Sequence, residues 1–277
     1  LEERRKEVSN KIKATKMVII VLVYYLVTLF AAGFFGLIQP KTGIPTEVIQ
    51  LTQFGPTFGV VIVMLLFRRH SLHIASGFRF NSNILRRLLI VLASIVFVFA
   101  IAIGWYRIWG VSVDFVHPSD LSNPFWLIII AQFIGAAGEE FGWRCFLQPF
   151  LQTRLKVLSA SLLVGLLWGI WHVGIFSEGF MFAGLFILST VSMSVFLGEL
   201  LSRAKGNHLM LAVSFHALMN LGMLLLFDEE NGNVFAMAVL AGAVTILALS
   251  FLLFRWRTKS DKFPRKGGHD YSVISRK

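Results

Sequence analysis

The sequence has one cysteine, seven prolines and few charges, with Asp, Glu, Lys and Arg making up only 15% of its 277 residues. A soluble domain carries about 25% charged residues. A single cysteine excludes an internal disulfide and a multi-cysteine metal knuckle. That residue, Cys145, lies in an apolar run and reads as a small buried hydrophobe. Internal repeats and low-complexity segments are also missing. These absences exclude a disordered chain, a disulfide scaffold and an ordinary cytosolic enzyme. What is present is apolar: hydrophobic residues reach 56%, and 27 are phenylalanine. The balance is that of a membrane protein.

A bilayer core of about 30 Å is crossed by roughly 20 apolar residues in a helix. Eight runs meet that length, at 17–38, 49–67, 88–105, 125–150, 157–176, 180–201, 209–227 and 234–254. The second is the weakest, because Gln50, Gln53 and Pro56 interrupt it. The expected fold class is an all-α membrane protein, a bundle of about eight transmembrane helices. The chain opens on Leu1 rather than methionine, which reads as a native start missing or replaced. The first run is too long for a signal-peptide core, so it reads as an uncleaved anchor.

A net charge of +11 invites a nucleic-acid partner, yet the bases sit between and beyond the apolar runs, where topology requires them. No nucleic acid is expected. Of the 26 Lys and Arg residues, 23 fall in the leader, in 68–87, 151–156 and 202–208, and in the tail from Arg255. The alternate connections hold only Lys41 and Arg107. The positive-inside rule then places both termini in the cytoplasm of a multi-pass cell-membrane protein. The expected organisation is a basic cytoplasmic leader (1–16), an eight-span membrane domain (17–254) and a basic cytoplasmic tail (255–277).

Ionisable groups at mid-membrane cost roughly 2.5–3.5 kcal/mol each on insertion scales, so a bundle keeps few without function. The fourth run holds Glu139, Glu140 and Arg144, the fifth His172, and the seventh His216 and Asn220. Glu140 and Arg144 are four apart and share a helix face as an ion pair. Glu139, rotated about 100° away, cannot share Arg144 equally. Desolvated beside a second carboxylate, it is poised to take up a proton, as a general base must. His216 and Asn220 also share a face and offer two donors to one place, which suits an oxyanion. His172 from another helix could orient a water with Glu139. Glu199 reads as a structural partner of Arg203.

The pattern resembles the CAAX protease and bacteriocin-processing (Abi) family of intramembrane endopeptidases. The family motifs E-E-x-x-x-R, F-x-x-x-H and H-x-x-x-N are matched here by Glu139-Glu140-Phe141-Gly142-Trp143-Arg144, by Trp168 to His172, and by His216 to Asn220. The segment Gly198-Glu199-Leu200, Arg203 and Gly206 is also similar. The resemblance covers about residues 125–222. Trp168 departs from the family's Phe and reads as a packing variant. The resemblance implies peptide-bond hydrolysis without a metal. Glu139 and His172 would activate water, His216 and Asn220 would stabilise the oxyanion, and Glu140 and Arg144 would hold the geometry.

The expected function is an intramembrane endopeptidase acting on a membrane-associated peptide or protein, with its site open to the cytoplasm or the inner leaflet. Two alternatives stand beside it. One is a zinc peptidase using the Glu and His set, although no H-E-x-x-H spacing is present. The other is a non-catalytic immunity, scaffold or transport protein using the same charges. One difficulty concerns depth. Counted from the cytoplasmic ends of their runs, Glu139 lies roughly 17 Å deep and His172 roughly 23 Å. Tilt, a fourth helix bent around Gly135 and Gly138, or a fifth span that starts later than residue 157 would close the gap, and the last is the expected remedy.

Overall fold

In a computed structural model the described residues are 2–260, apart from 71, 78–81, 114, 203, 205 and 228–231, and none of them is in a strand. The chain opens with α1 (Glu2–Thr42), and a 3-10 turn, Leu51–Phe54, leads into α2 (Gly55–Leu66). Next come α3 (Ser82–Ile108) and α4 (Phe125–Glu140). The latter runs through a π-helical segment, Phe141–Leu147, into α5 (Gln148–Gln152). Then follow α6 (Val157–Trp171), a 3-10 turn at Val173–Glu178, α7 (Phe180–Leu201), α8 (His208–Leu226) and α9 (Val234–Ser260).

Among the described residues, six helices are long and apolar enough to cross a bilayer, and Leu51–Leu66 and Val157–Trp171 are shorter apolar helices. Burial is inverted relative to a soluble protein. Phe30, Leu37, Ile108 and Phe180 are at least three-quarters exposed, while Glu139, Glu140 and Arg144 are at most 2% exposed. Apolar side chains on the outside and charges on the inside suit a hydrocarbon solvent. The molecule is an all-α, multi-pass membrane helix bundle.

Small residues bring the helices close together, as expected where lipid gives no hydrophobic drive to associate. A Cβ on Gly165 of α6 would stand 2.9 Å from the Thr190 carbonyl of α7. Thr190 in turn donates its hydroxyl to the Gly165 carbonyl at 3.1 Å. On the other side of the bundle, α4 packs against α8. Glu140 bonds His216, whereas Gln132, earlier on α4, bonds Asn220, later on α8. The two helices are therefore antiparallel.

The basic tail beyond residue 260 and the acidic 228–231 stretch lie outside the described residues, as does Arg203, the expected partner of Glu199. Glu199 Oε2 meets Arg255 Nη1 of α9 at 3.0 Å. The cysteine, Cys145, is free and buried.

Candidate active site

The site grows from the end of α4. A regular helix buries one stripe, but in the π-helical segment Gly142 through Leu147 are all buried. The wide turn thus keeps Arg144 away from lipid all round, and such bulges recur at functional sites. Tyr24 of α1 closes over the segment, edge-on to Trp143 at 5.7 Å between ring centroids. Gly142 permits this approach, since a Cβ there would run into Pro56 and the Tyr24 hydroxyl.

Glu139 is held by two neutral donors. Gln53 Nε2 donates to Oε1 at 3.2 Å and Trp168 Nε1 donates to Oε2 at 2.8 Å. Neither donor carries charge, so the carboxylate is fixed in position without being neutralised. Gln53, a residue that weakens the second apolar run as a span, is therefore a partner of Glu139. It reaches Glu139 because the chain crosses α4 at glycines. A Cβ on Gly138 would stand 2.9 Å from the Gln53 carbonyl, and one on Gly135 would overlap the Gln53 side chain.

Glu140 has a different environment. Its Oε1 accepts from Arg144 Nη1 at 3.1 Å and from His216 Nδ1 at 2.8 Å. The expected ion pair with Arg144 is present, and His216 joins it from α8. Arg144 also lies over Trp168, with Cζ 4.2 Å from the ring centroid, a cation–π contact. Trp168 is thus a hub. Its N–H holds Glu139, its face covers Arg144, and its ring centroid is 5.2 Å from that of His216 and 6.0 Å from that of His172.

Hydrogen-bond chemistry fixes the two imidazoles. His172 Nδ1 lies 2.9 Å from the Trp168 carbonyl, which can only accept, so Nδ1 carries the proton and Nε2 a lone pair. His216 Nδ1 likewise donates to a carboxylate oxygen. A neutral His216 would then present a lone pair at Nε2, and only the imidazolium would present a donor there. Asn220 Nδ2 donates to Gln132 Oε1 at 3.0 Å, which uses one of its two hydrogens.

Glu139 and His172 line one cavity of about 930 Å³. Its polar lining includes Gln53, Thr52 and Gln50, and its walls are apolar side chains of α1 and α7. His216 and Asn220 are not among its lining residues; both are on α8, where His216 packs against Trp168. The six candidate residues therefore form two linked sets, joined through the adjacent Glu139 and Glu140 and through Trp168. Among the described residues no group of three or more His, Cys, Asp or Glu is arranged to hold a metal ion.

The depth difficulty resolves through α5. Helix α6 begins at Val157, so a later start is not the remedy. Instead the fourth span runs on to Gln152, past residue 150. Gln148 Nε2 donates to Ser161 Oγ at 3.0 Å, which sets those two residues level. From that level Glu139 is nine residues away and His172 eleven, an offset of about 3 Å that a glutamate side chain spans.

Residues 121–222 match the family description Type II CAAX prenyl endopeptidase Rce1-like. Over that stretch the chain is similar to the Rce1-like CAAX-protease family. The matched stretch includes Glu139, Glu140, Arg144, Trp168, His172, His216 and Asn220, and it excludes Gln53 and the α1 wall. The chain is also similar to proteins named Lysostaphin resistance protein A. Identity is 28% to that of Staphylococcus haemolyticus, over 88% of this chain and 68% of the relative. It is 27% to that of Staphylococcus epidermidis, over 88% of this chain and 64% of the relative. For a Staphylococcus aureus relative it is 27%, over 88% and 58%. The chain thus spans about three-fifths to two-thirds of the length of these relatives.

Proposed function

We propose that this Rce1-like chain is an intramembrane endopeptidase that hydrolyses a peptide bond of a membrane-associated peptide or protein. The observation that carries the proposal is the placement of Glu139 beside His172. A buried carboxylate is gripped by neutral donors only, and next to it on the same cavity wall is an imidazole whose Nε2 has a lone pair. Two bases facing one cavity are what a water nucleophile needs in order to lose a proton.

In this reading Glu139 takes the proton from a water that His172 Nε2 helps to orient. The hydroxide attacks the scissile carbonyl, and Glu139 returns the proton to the leaving amine. The oxyanion is assigned to Asn220 and to His216 as imidazolium, whose charge Glu140 balances, although neither lines the cavity that holds Glu139 and His172. Arg144 and Glu140 hold the geometry of this second set. Trp168 and Gln53 join the expected residues as positioning groups for Glu139.

The same proposal includes the topology. The six long helices and two shorter ones make eight crossings, and the 23-to-2 split of Lys and Arg between alternate connections puts both termini in the cytoplasm. The leader 1–16 and the tail from Arg255 flank a single membrane domain. Comparing the membrane peptides of cells with and without the chain tests the proposal. Fragments ending at discrete cleavage sites should appear only when the chain is present.

A further inference from the structure

The cavity holding Glu139 and His172 has a direction. Its α1 wall, from Leu26 to Gly36, belongs to the second half of that helix. Its other residues come from the 3-10 turn after α1, the last residues of α6, the 173–178 turn, the start of α7 and Met237 near the start of α9. All of these lie at one end of the bundle, the end opposite to Lys16, His70, His73 and Arg154. Gln50 and Glu178, both exposed, mark the mouth. Beside them Gly232 adopts φ 69°, where any Cβ would meet the Glu178 carboxylate.

The charge at that end is acidic. Among the described residues the connections there contain Glu47, Asp120 and Glu178 against Lys41 and Arg107, and of these Glu178 lines the cavity. A cleft with a carboxylate, Glu178, at its mouth and apolar walls favours cations and apolar chains. We propose that the catalytic cavity is loaded from the extracytoplasmic side, and that its substrate is a membrane-associated peptide whose residues near the scissile bond are cationic. This inference rests on the endopeptidase reading and on the proposed topology. It departs from a cytoplasmic or inner-leaflet opening, and so from a substrate presented as a cytoplasmic tail.

Cysteine labelling tests the direction without requiring turnover. Gln50→Cys, Glu178→Cys and Thr153→Cys are expressed in cells and treated with a membrane-impermeant maleimide, with gel filtration in detergent as the folding control. The parent chain, whose one cysteine is buried, should stay unlabelled. Gln50→Cys and Glu178→Cys should label in intact cells, and Thr153→Cys only after permeabilisation. Labelling of Thr153→Cys alone in intact cells, or failure of both mouth positions to label, overturns the proposal.

The charge preference is read on purified Gln50→Cys. A lysine-flanked oligoleucine peptide should slow its labelling about threefold more than a glutamate-flanked one, and Glu178→Gln should narrow the difference. Equal protection by the two peptides overturns the cationic preference. Because neither readout needs cleavage, a catalytically silent chain that labels as expected would sink the endopeptidase reading and leave the opening intact.

Discussion

The indole N–H of Trp168 donates to Oε2 of Glu139 at 2.8 Å, so the aromatic residue of the second motif orients the carboxylate of the first. A hydrogen bond to a charged group contributes about 1.5–3 kcal/mol. Trp168→Phe keeps most of the ring over Arg144 but removes that donor. We expect the variant to fold, to lose about 1–3 kcal/mol of stability in detergent, and to have a lower kcat with KM nearly unchanged. Thermal unfolding and steady-state kinetics on the same preparation check both expectations.

Glu140 stands between two partners, Arg144 and His216. Arg144→Ala leaves the buried Glu140 carboxylate with His216 but without its guanidinium, and breaking a buried ion pair typically costs about 3–5 kcal/mol. Glu140→Gln removes the charge that both partners face, yet it leaves an acceptor in place. Arg144→Ala is therefore expected to unfold at a clearly lower temperature than Glu140→Gln. A circular-dichroism melt of the two variants in the same detergent would reverse this expectation by showing the opposite order.

The two histidines should separate by stability as well as by rate. The His172 ring bonds a carbonyl of its own helix, whereas the His216 ring ties α8 to α4 through Glu140. His172→Ala should lower kcat by roughly 10²-fold and leave the melting temperature almost unchanged. His216→Ala should lower kcat by roughly 10²–10³-fold and destabilise the bundle as well. Equal melting temperatures for the two would contradict the structural role given to the His216–Glu140 bond.

Helix approach at α4 gives a prediction remote from the motifs. Gly138→Leu would push its side chain against the Gln53 backbone and displace Gln53 from Glu139, whereas a Cβ on Gly104 would meet nothing within 4 Å. We expect about 1–3 kcal/mol of destabilisation and a fall in kcat from Gly138→Leu, and little effect from Gly104→Ala. Chemical denaturation and kinetics of the two variants side by side check this contrast.

The sequence makes the helices legible because each bilayer crossing needs a long apolar run, and charge placement between runs is equally plain. The Glu140–Arg144 pair is legible for a local reason, four residues on one helix. Long-range pairings are not. Gln53 meets Glu139 across 86 positions, and only the glycines at 135 and 138 hint that a backbone passes there. Trp168 reads as a packing variant because aromatic substitution conserves volume, yet the indole N–H that phenylalanine lacks is its decisive feature. For His216 the spacing shows which side of α8 it faces, while its protonation depends on Glu140, a residue on another helix. The π-helical segment is invisible for a similar reason, since residues 141–147 hold no proline and Gly142 by itself does not distinguish a wide turn from an ordinary one.

The central claim is that Glu139 activates water for peptide hydrolysis. It is tested most directly by comparing, by mass spectrometry, membrane peptides from cells expressing equal amounts of the parent chain and of Glu139→Gln. Glutamine preserves the shape and an acceptor for Trp168 but cannot take the proton. The account predicts that the fragments generated by the parent chain disappear with Glu139→Gln. Undiminished release of the same fragments, with the variant folded and inserted, would contradict it.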